Sequence, residues 1–184
     1  MRNKNVAALL DMNKRWLQQA LELLGRIDEV SYATSPNGLA PHRCSGHLRH
    51  IVEFYECFLD GLVSTHIDYD ARKRDSSFET STTLAVDRVN SIIARLDNES
   101  GLFYDGVLFV RIEDADALNI AEPYVVSSVA RELMTLSSHT IHHFALIAIT
   151  LRAHDVEIDA DFGVAPSTLR HREHSKSLTM SRAA

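Results

Sequence analysis

The sequence has few prolines and glycines and no long apolar run. Four prolines and seven glycines among 184 residues are too few for a collagen-like or low-complexity chain. The longest apolar stretch, from Phe144 to Ile149, is far shorter than the roughly 20 apolar residues that cross a bilayer. The charged segment from Met1 to Arg15 contains no signal-peptide core. We therefore expect neither membrane insertion nor secretion.

Cysteine is equally scarce. Cys44 and Cys57 do not form the dense framework of a small secreted domain, which favours a reduced, cytoplasmic location. The net charge of −6 argues against duplex nucleic acid as a partner, because such binding depends on clustered Lys and Arg. These features predict a cytoplasmic protein without a nucleic-acid or membrane partner.

The chain has enough apolar residues for one folded domain. Hydrophobic residues make up 45% and charged residues 24% of it, which is typical of a globular protein and not of a disordered one. We assign residues 1–169 to a single domain. Basic residues prevail in residues 170–184, which we expect to form a flexible C-terminal tail.

Four stretches carry apolar residues at the spacing of an amphipathic helix. Ser45 is the expected N-cap of the second stretch, and Leu84 is expected to face inward on the third. A turn-rich connection, residues 28–43, separates the first two stretches. The predicted helices are residues 6–27, 45–63, 80–98 and about 128–154.

The connections between these stretches predict the topology. Residues 107–110 and 124–126 are rich in valine and aromatic residues and predict a small β-hairpin between the third and fourth helices. Residues 64–79 are long enough to return along a whole helix, which makes the second and third helices parallel. The expected fold is all-α: an up-down-down-up four-helix bundle with a small β-hairpin.

Histidine is the one abundant functional residue type, with ten copies in the chain. His139 and His143 are one helical turn apart on the fourth predicted helix, so their imidazoles share a face and can reach one ion. Burying two imidazoles costs solvation and hydrogen bonds, which a metal would offset. The alternative is a chance pair at the surface.

The second predicted helix supplies candidates for a third ligand, His47 and His50. Either one meets the histidine pair if the second and fourth helices are antiparallel neighbours. Three neutral imidazoles with a vacant position are typical of catalytic zinc and related sites, whereas structural zinc is fully enclosed by protein ligands. We expect one divalent ion, zinc or nickel, with iron or manganese as alternatives.

The histidine pattern resembles the DinB-like metal-binding four-helix bundles over about residues 6–155. This family includes bacillithiol-dependent S-transferases and the metal domain of mycothiol-dependent maleylpyruvate isomerase. The segment from Gly46 to His50 resembles the ligand helix of ergothioneine-forming sulfoxide synthases, and the resemblance assigns the ligand role to His50, with His47 as the alternative. The segments 68–75 and 162–167 resemble an uncharacterised branch of the family.

The resemblance implies a metal-dependent, thiol-dependent S-transferase that acts on a small molecule with a low-molecular-weight thiol. Family members are often dimers, which implies a homodimer through the first helix or the hairpin. A metal-dependent hydrolase and a non-catalytic, stress-related metal-binding bundle are the alternatives. No residue besides the ligands receives a catalytic role from the sequence.

Two further residues and one basic run have two interpretations each. Glu132 either orients a ligand imidazole or serves the helix dipole as an N-terminal acid. Cys57 is either a core residue or a group below the site, and His142 is expected at the surface or an interface. The basic run of residues 72–74 either binds an anionic substrate or is a solvated loop.

Overall fold

The computed structural model describes residues 4–39, 41–98 and 106–183, and of residues 176–183 only the backbone. The described chain is mostly helical and carries a small three-stranded sheet. Residues 1–3 of the expected domain and residue 184 of the expected tail lie outside these ranges. The elements are α1 (Lys4–Leu24), α2 (Glu29–Ala33), α3 (Cys44–Ser64), β1 (His66–Ile67), α4 (Thr82–Asn98), β2 (Val107–Arg111), β3 (Tyr124–Ser128), α5 (Val129–Arg152) and α6 (Pro166–Ala183).

The four long predicted helices are confirmed as α1, α3, α4 and α5, with ends displaced by a few residues at most. Helices α1 and α3 each pack against both α4 and α5. Their apolar stripes meet in one core, as the helical spacing requires. Fully buried members of this core include Leu17, Ile51, Phe58, Leu59, Val89, Leu133 and Phe144.

Two local predictions on these helices are wrong. Helix α3 begins at Cys44 with Arg43 as its N-cap, and the buried Ser45 hydroxyl makes no hydrogen bond to a described residue. Leu84 is 49% exposed, and Ala85 occupies the buried position instead. Ala85 continues the stripe of residues 89, 92 and 96 at helical spacing, whereas Leu84 is rotated about 100° from it.

The hairpin prediction is confirmed, and the sheet contains one strand more than expected. Strands β2 and β3 pair antiparallel, and the unpredicted β1 pairs parallel with β2. A two-residue strand has no alternating pattern that a sequence could reveal. Gly61 permits β1 to lie against α3, since a Cβ at this position would lie 2.6 Å from the His66 carbonyl oxygen.

The short α2 lies in the segment that was expected to be a turn. The Asp28 carboxylate accepts a hydrogen bond from the Ser31 backbone N–H at 2.7 Å and so caps this helix. The buried Tyr32 hydroxyl donates to the Phe78 carbonyl oxygen at 2.9 Å. These two contacts order a segment that has no helical periodicity of its own.

The C-terminal residues that were expected to form a flexible tail lie in α6 as far as Ala183. Pro166 opens this helix, which is a favoured place for proline because the first helical N–H needs no partner. The side chains of residues 170–175 are exposed. Among the described helices, none combines the length and the apolar character that spanning a membrane requires.

Candidate metal centre

Three of the predicted histidines lie together between two helices. His50 lies on α3, and His139 and His143 lie one turn apart on α5. One ring nitrogen from each can be chosen so that all three lie within 4.8 Å of one another. Their ring centroids are 4.6 to 4.8 Å apart. The three side chains, called the histidine trio below, are half-buried.

Buried polar contacts fix the position of α5 and thereby aim its two histidines at α3. The Trp16 indole N–H donates to the Ser137 hydroxyl at 2.8 Å. The Asn13 amide donates to the Leu133 carbonyl oxygen at 3.0 Å. The Tyr55 hydroxyl donates to the Asn13 side-chain oxygen at 2.7 Å. Helices α1, α3 and α5 are therefore tied together next to the trio by groups that cannot exchange their partners for water.

Burial keeps the trio neutral. It is the largest cause that lowers the pKa of His50 to about 3, with the Arg72 charge second. Burial also lowers the pKa of His143 to about 3 and that of His139 to about 4, with neighbouring histidines contributing. The neutral imidazole is the form that binds metal, because one of its nitrogens has a lone pair to donate.

The residues present fit a divalent ion. The buried Nε2 of His139 has no hydrogen-bond partner among the described residues. Leaving a buried polar atom unpaired costs about 1–3 kcal/mol, and an ion that accepts the lone pair removes this cost. Three imidazoles are a donor set that zinc, nickel and iron accept.

His47, the alternative ligand, lies beside the trio. Its Nδ1 is 3.1 Å from the Nδ1 of His143, so one of these nitrogens donates and the other accepts. Its ring also stacks on His42, with 5.7 Å between centroids. An imidazole in this place orients a neighbouring ligand ring and selects which nitrogen carries the proton. The structure thus brings His50 into the trio and His47 into contact with it.

The hydrogen bonds of Glu132 to described residues do not involve a histidine. The buried carboxylate accepts from the Tyr69 and Ser127 hydroxyls and lies in the first turn of α5. Tyr69 stacks on Phe54 at 4.9 Å, and Phe54 stacks on His139 at 4.0 Å. The geometry agrees with the helix-dipole interpretation, and two aromatic rings separate Glu132 from the trio.

Arg72 belongs to the basic run for which the sequence allows two roles, anion binding or a solvated loop. Its Nη1 lies 2.7 Å from the Nδ1 of His50, and its guanidinium carbon lies 4.9 Å from the centre of the Phe54 ring. Lys73 and Arg74 are exposed. Of the basic run 72–74, one member therefore reaches the trio. The connection has no periodicity, so the sequence contains no signal that singles out this arginine.

A pocket of 380 Å³ opens at the trio and is bordered by ion pairs that sequence reasoning missed. Arg49 pairs with both Glu53 and Glu79, and Arg43 pairs with Glu79 at 3.3 Å. Both carboxylates are buried, so the two arginines compensate them. The histidines and charged side chains that line the pocket are His42, Arg43, His47, Arg49, His50, Glu79 and His143.

The remaining two candidates are not among the three clustered ligands, but the ring of His142 packs edge-on against that of His143, with 5.2 Å between centroids. His142 is exposed, as expected. Cys57 is half-buried, and burial raises the pKa of its thiol to about 11. A thiol with so high a pKa is protonated at neutral pH and is a poor nucleophile.

Comparisons with known proteins do not show which family the chain belongs to. No protein-family model matches it, and no solved structure matches it. FK506-binding protein 5 of Rhizopus delemar is 32% identical to it over 109 residues, which are 59% of this chain and 28% of that protein. The chain thus spans little more than a quarter of this relative, and the similarity carries no function over to it.

Proposed function

We propose that the chain is a metal-dependent enzyme of the DinB-like type, in which His50, His139 and His143 hold one divalent ion. The four long helices then constitute an up-down-down-up four-helix bundle. The meeting of His50 with the pair on α5 is the single observation that carries this proposal. Zinc and nickel are the favoured ions, with iron and manganese as alternatives.

The ion would supply Lewis acidity and lower the pKa of a bound thiol or water, which creates a nucleophile at neutral pH. The histidine trio holds it with neutral nitrogens. His47 forms a hydrogen bond between its Nδ1 and the Nδ1 of His143, and this bond helps to determine which nitrogen of His143 carries the proton. Phe54 covers one face of His139 and excludes water from it.

The acids around the site favour thiol transfer over hydrolysis. Hydrolysis benefits from a carboxylate that takes a proton from water. The nearby carboxylates are engaged elsewhere: Glu53 and Glu79 pair with Arg49, and Glu132 accepts from two hydroxyls. A thiolate needs no such base once its proton has left to solvent. Its sulfur electron pair forms the new carbon–sulfur bond, and the leaving group departs with its own bonding pair.

A conjugation assay tests this proposal. The purified protein, loaded with zinc or nickel, is given a small thiol such as cysteine or bacillithiol and a chromogenic aryl chloride. We expect product formation that requires both metal and thiol, is lost in His143→Ala and is retained in the exposed control His174→Ala.

Other outcomes of this assay would count against thiol transfer. Hydrolysis of ester or amide probes by the same metal-replete protein, without thiol-dependent conjugation, would establish the hydrolase alternative. Silence in both assays would favour the non-catalytic, stress-related bundle.

A further inference from the structure

Arg72 carries a positive charge that forms no ion pair with a described carboxylate, although Asp70 and Glu113 line the same small cavity. Its guanidinium is half-buried between the ring of Phe54 and the imidazole of His50. Its Nε atom is buried and has no hydrogen-bond partner among the described residues. A buried guanidinium normally pairs with an anion through several of its five donors.

The neighbouring arginines differ from Arg72 in this respect. Arg43 and Arg49, which line the pocket at the trio, pair with buried glutamates. Arg111, which shares a smaller cavity of 110 Å³ with Arg72, pairs with Asp68 and Asp116. Of these four arginines, Arg72 is therefore the one without an ion pair to a described carboxylate, and it lies directly at the predicted metal ligands.

The contact between Arg72 and His50 also has a fixed direction. The Nη1 of Arg72 lies 2.7 Å from the Nδ1 of His50 and 3.3 Å from its Nε2. Because a guanidinium can only donate hydrogen bonds, His50 must accept with the one lone pair of its neutral ring. The other nitrogen of a neutral imidazole then carries the proton. His50 therefore has no second lone pair to offer, and Arg72 and a metal ion compete for the same ring.

We propose that Arg72 is the anion-binding residue of the metal centre: the ion displaces its guanidinium from His50, and the guanidinium then pairs with an acidic group on the metal-bound thiol. This inference rests on the proposed function. The three imidazoles are neutral, so a divalent ion and Arg72 together bring three positive charges to a half-buried site. A thiol that also carries an acidic group supplies two negative charges, whereas a neutral thiol supplies one.

A matched pair of thiols tests the selectivity. The cobalt-substituted, full-length protein is titrated with 2-mercaptoethanesulfonate and with 2-mercaptoethanol, and thiolate binding is followed in the visible spectrum. The sulfonate is a weak metal ligand, so chelation does not produce the preference. We expect the wild type to bind the acidic thiol about tenfold more tightly, as one charge-assisted pair allows.

Variants at position 72 identify the source of that preference. It should fall to about twofold or less in Arg72→Met and Arg72→Gln, remain in part in Arg72→Lys, and persist in the exposed neighbour control Lys73→Met. Thermal melts establish that each variant folds. Equal affinities for the two thiols in the wild type, or an unchanged preference in Arg72→Gln, would overturn the inference.

The competition for His50 gives a readout without any thiol. Removing Arg72 should raise the affinity for cobalt by about tenfold, because a competing donor and a positive charge both leave the site. An unchanged or weaker cobalt affinity in Arg72→Met would contradict this. If the wild type binds cobalt stoichiometrically and Arg72 has no effect, only this inference fails. If the wild type binds no cobalt, the proposed function fails with it.

Discussion

Phe54 stacks on His139, with ring centroids 4.0 Å apart and planes 22° from parallel. The centre of the same phenyl ring lies 4.7 Å from the centre of the His50 ring. The phenyl ring also stacks on Tyr69. One aromatic side chain thus packs against two members of the histidine trio and holds their rings in place. Positioning of this kind is as important to a metal site as the choice of ligands.

Truncating this ring should therefore weaken both the fold and the site. Phe54→Ala removes a half-buried phenyl and should lower the free energy of unfolding by about 2 kcal/mol, less than the roughly 3–5 kcal/mol typical of a fully buried phenylalanine. It should also weaken metal binding about tenfold, since two imidazoles lose their support. Phe54→Leu, which keeps most of the volume, should retain more of both. Urea unfolding and cobalt titration measure the two effects, and full cobalt affinity in Phe54→Ala would show that the stacking is irrelevant to the site.

The metal-free protein should lose stability as the pH falls below 6.5. The folded state lowers the pKa of His50 and His143 to about 3 and that of His139 to about 4. The unfolded chain therefore takes up protons between pH 6.5 and 4 that the folded chain does not bind, and acid favours unfolding.

Melting temperatures at pH 7.5, 6 and 5 test this linkage. His139→Leu should show a shallower decline than the wild type, because one of the linked groups is gone. The exposed His174→Leu control should decline as steeply as the wild type. A wild-type melting temperature that stays constant over this range would refute the linkage.

The buried ion pairs beside the pocket should be costly to break. Arg49→Met leaves the carboxylate of Glu53, which is 2% exposed, without its cation and removes one partner of Glu79. We expect a loss of about 3 kcal/mol in the free energy of unfolding, as for other broken buried pairs.

A surface pair provides the comparison. Lys14 pairs with Asp97 at 2.9 Å, and that aspartate side chain is 55% exposed. Lys14→Met should change the free energy of unfolding by less than about 1 kcal/mol. Equal effects of Lys14→Met and Arg49→Met in urea unfolding would mean that the network contributes no more than a surface contact.

We predict a homodimer formed through β3. This strand lies at one end of the sheet, and its residues Val125 and Val126 are 49% and 72% exposed. Met134 on α5 adds a further apolar side chain that is 51% exposed. Edge strands with apolar side chains are prone to pair with a second chain.

Light scattering at micromolar concentration should give twice the mass of the chain. Val126→Lys should yield a monomer, whereas Val30→Lys, at another exposed valine, should leave the dimer intact. A monomeric wild type would exclude this assembly, and an effect of Val30→Lys alone would assign the contact to another surface.

The sequence predicted those parts of the fold that depend on repeated local patterns. The long helices and the hairpin have periodic apolar residues, and the one-turn spacing of His139 and His143 places both on one face whatever the tertiary packing. The choice of Ala85 over Leu84 as the buried residue depends on packing between helices, which a single-helix pattern does not determine.

The rest of the site depends on contacts between segments far apart in the chain. Arg72 meets His50 because the connection after α3 turns back toward that helix, and Glu79 meets Arg49 in the same way. The connection contains neither periodicity nor a motif, so its register relative to α3 is invisible in the sequence. Spacing alone does not distinguish His47 from His50; the resemblance favours His50, and the relative position of α3 and α5 brings His50 to the histidine pair.

Metal content tests the account most directly. Elemental analysis of protein purified without chelators should give about one divalent ion per chain, zinc or nickel, in the wild type and in the exposed His174→Ala control. The double variant His139→Ala, His143→Ala should contain almost none, because two of the three ligands are lost. Stoichiometric metal in that double variant, or none in the wild type after incubation with zinc and nickel, would contradict the assignment of the histidine trio.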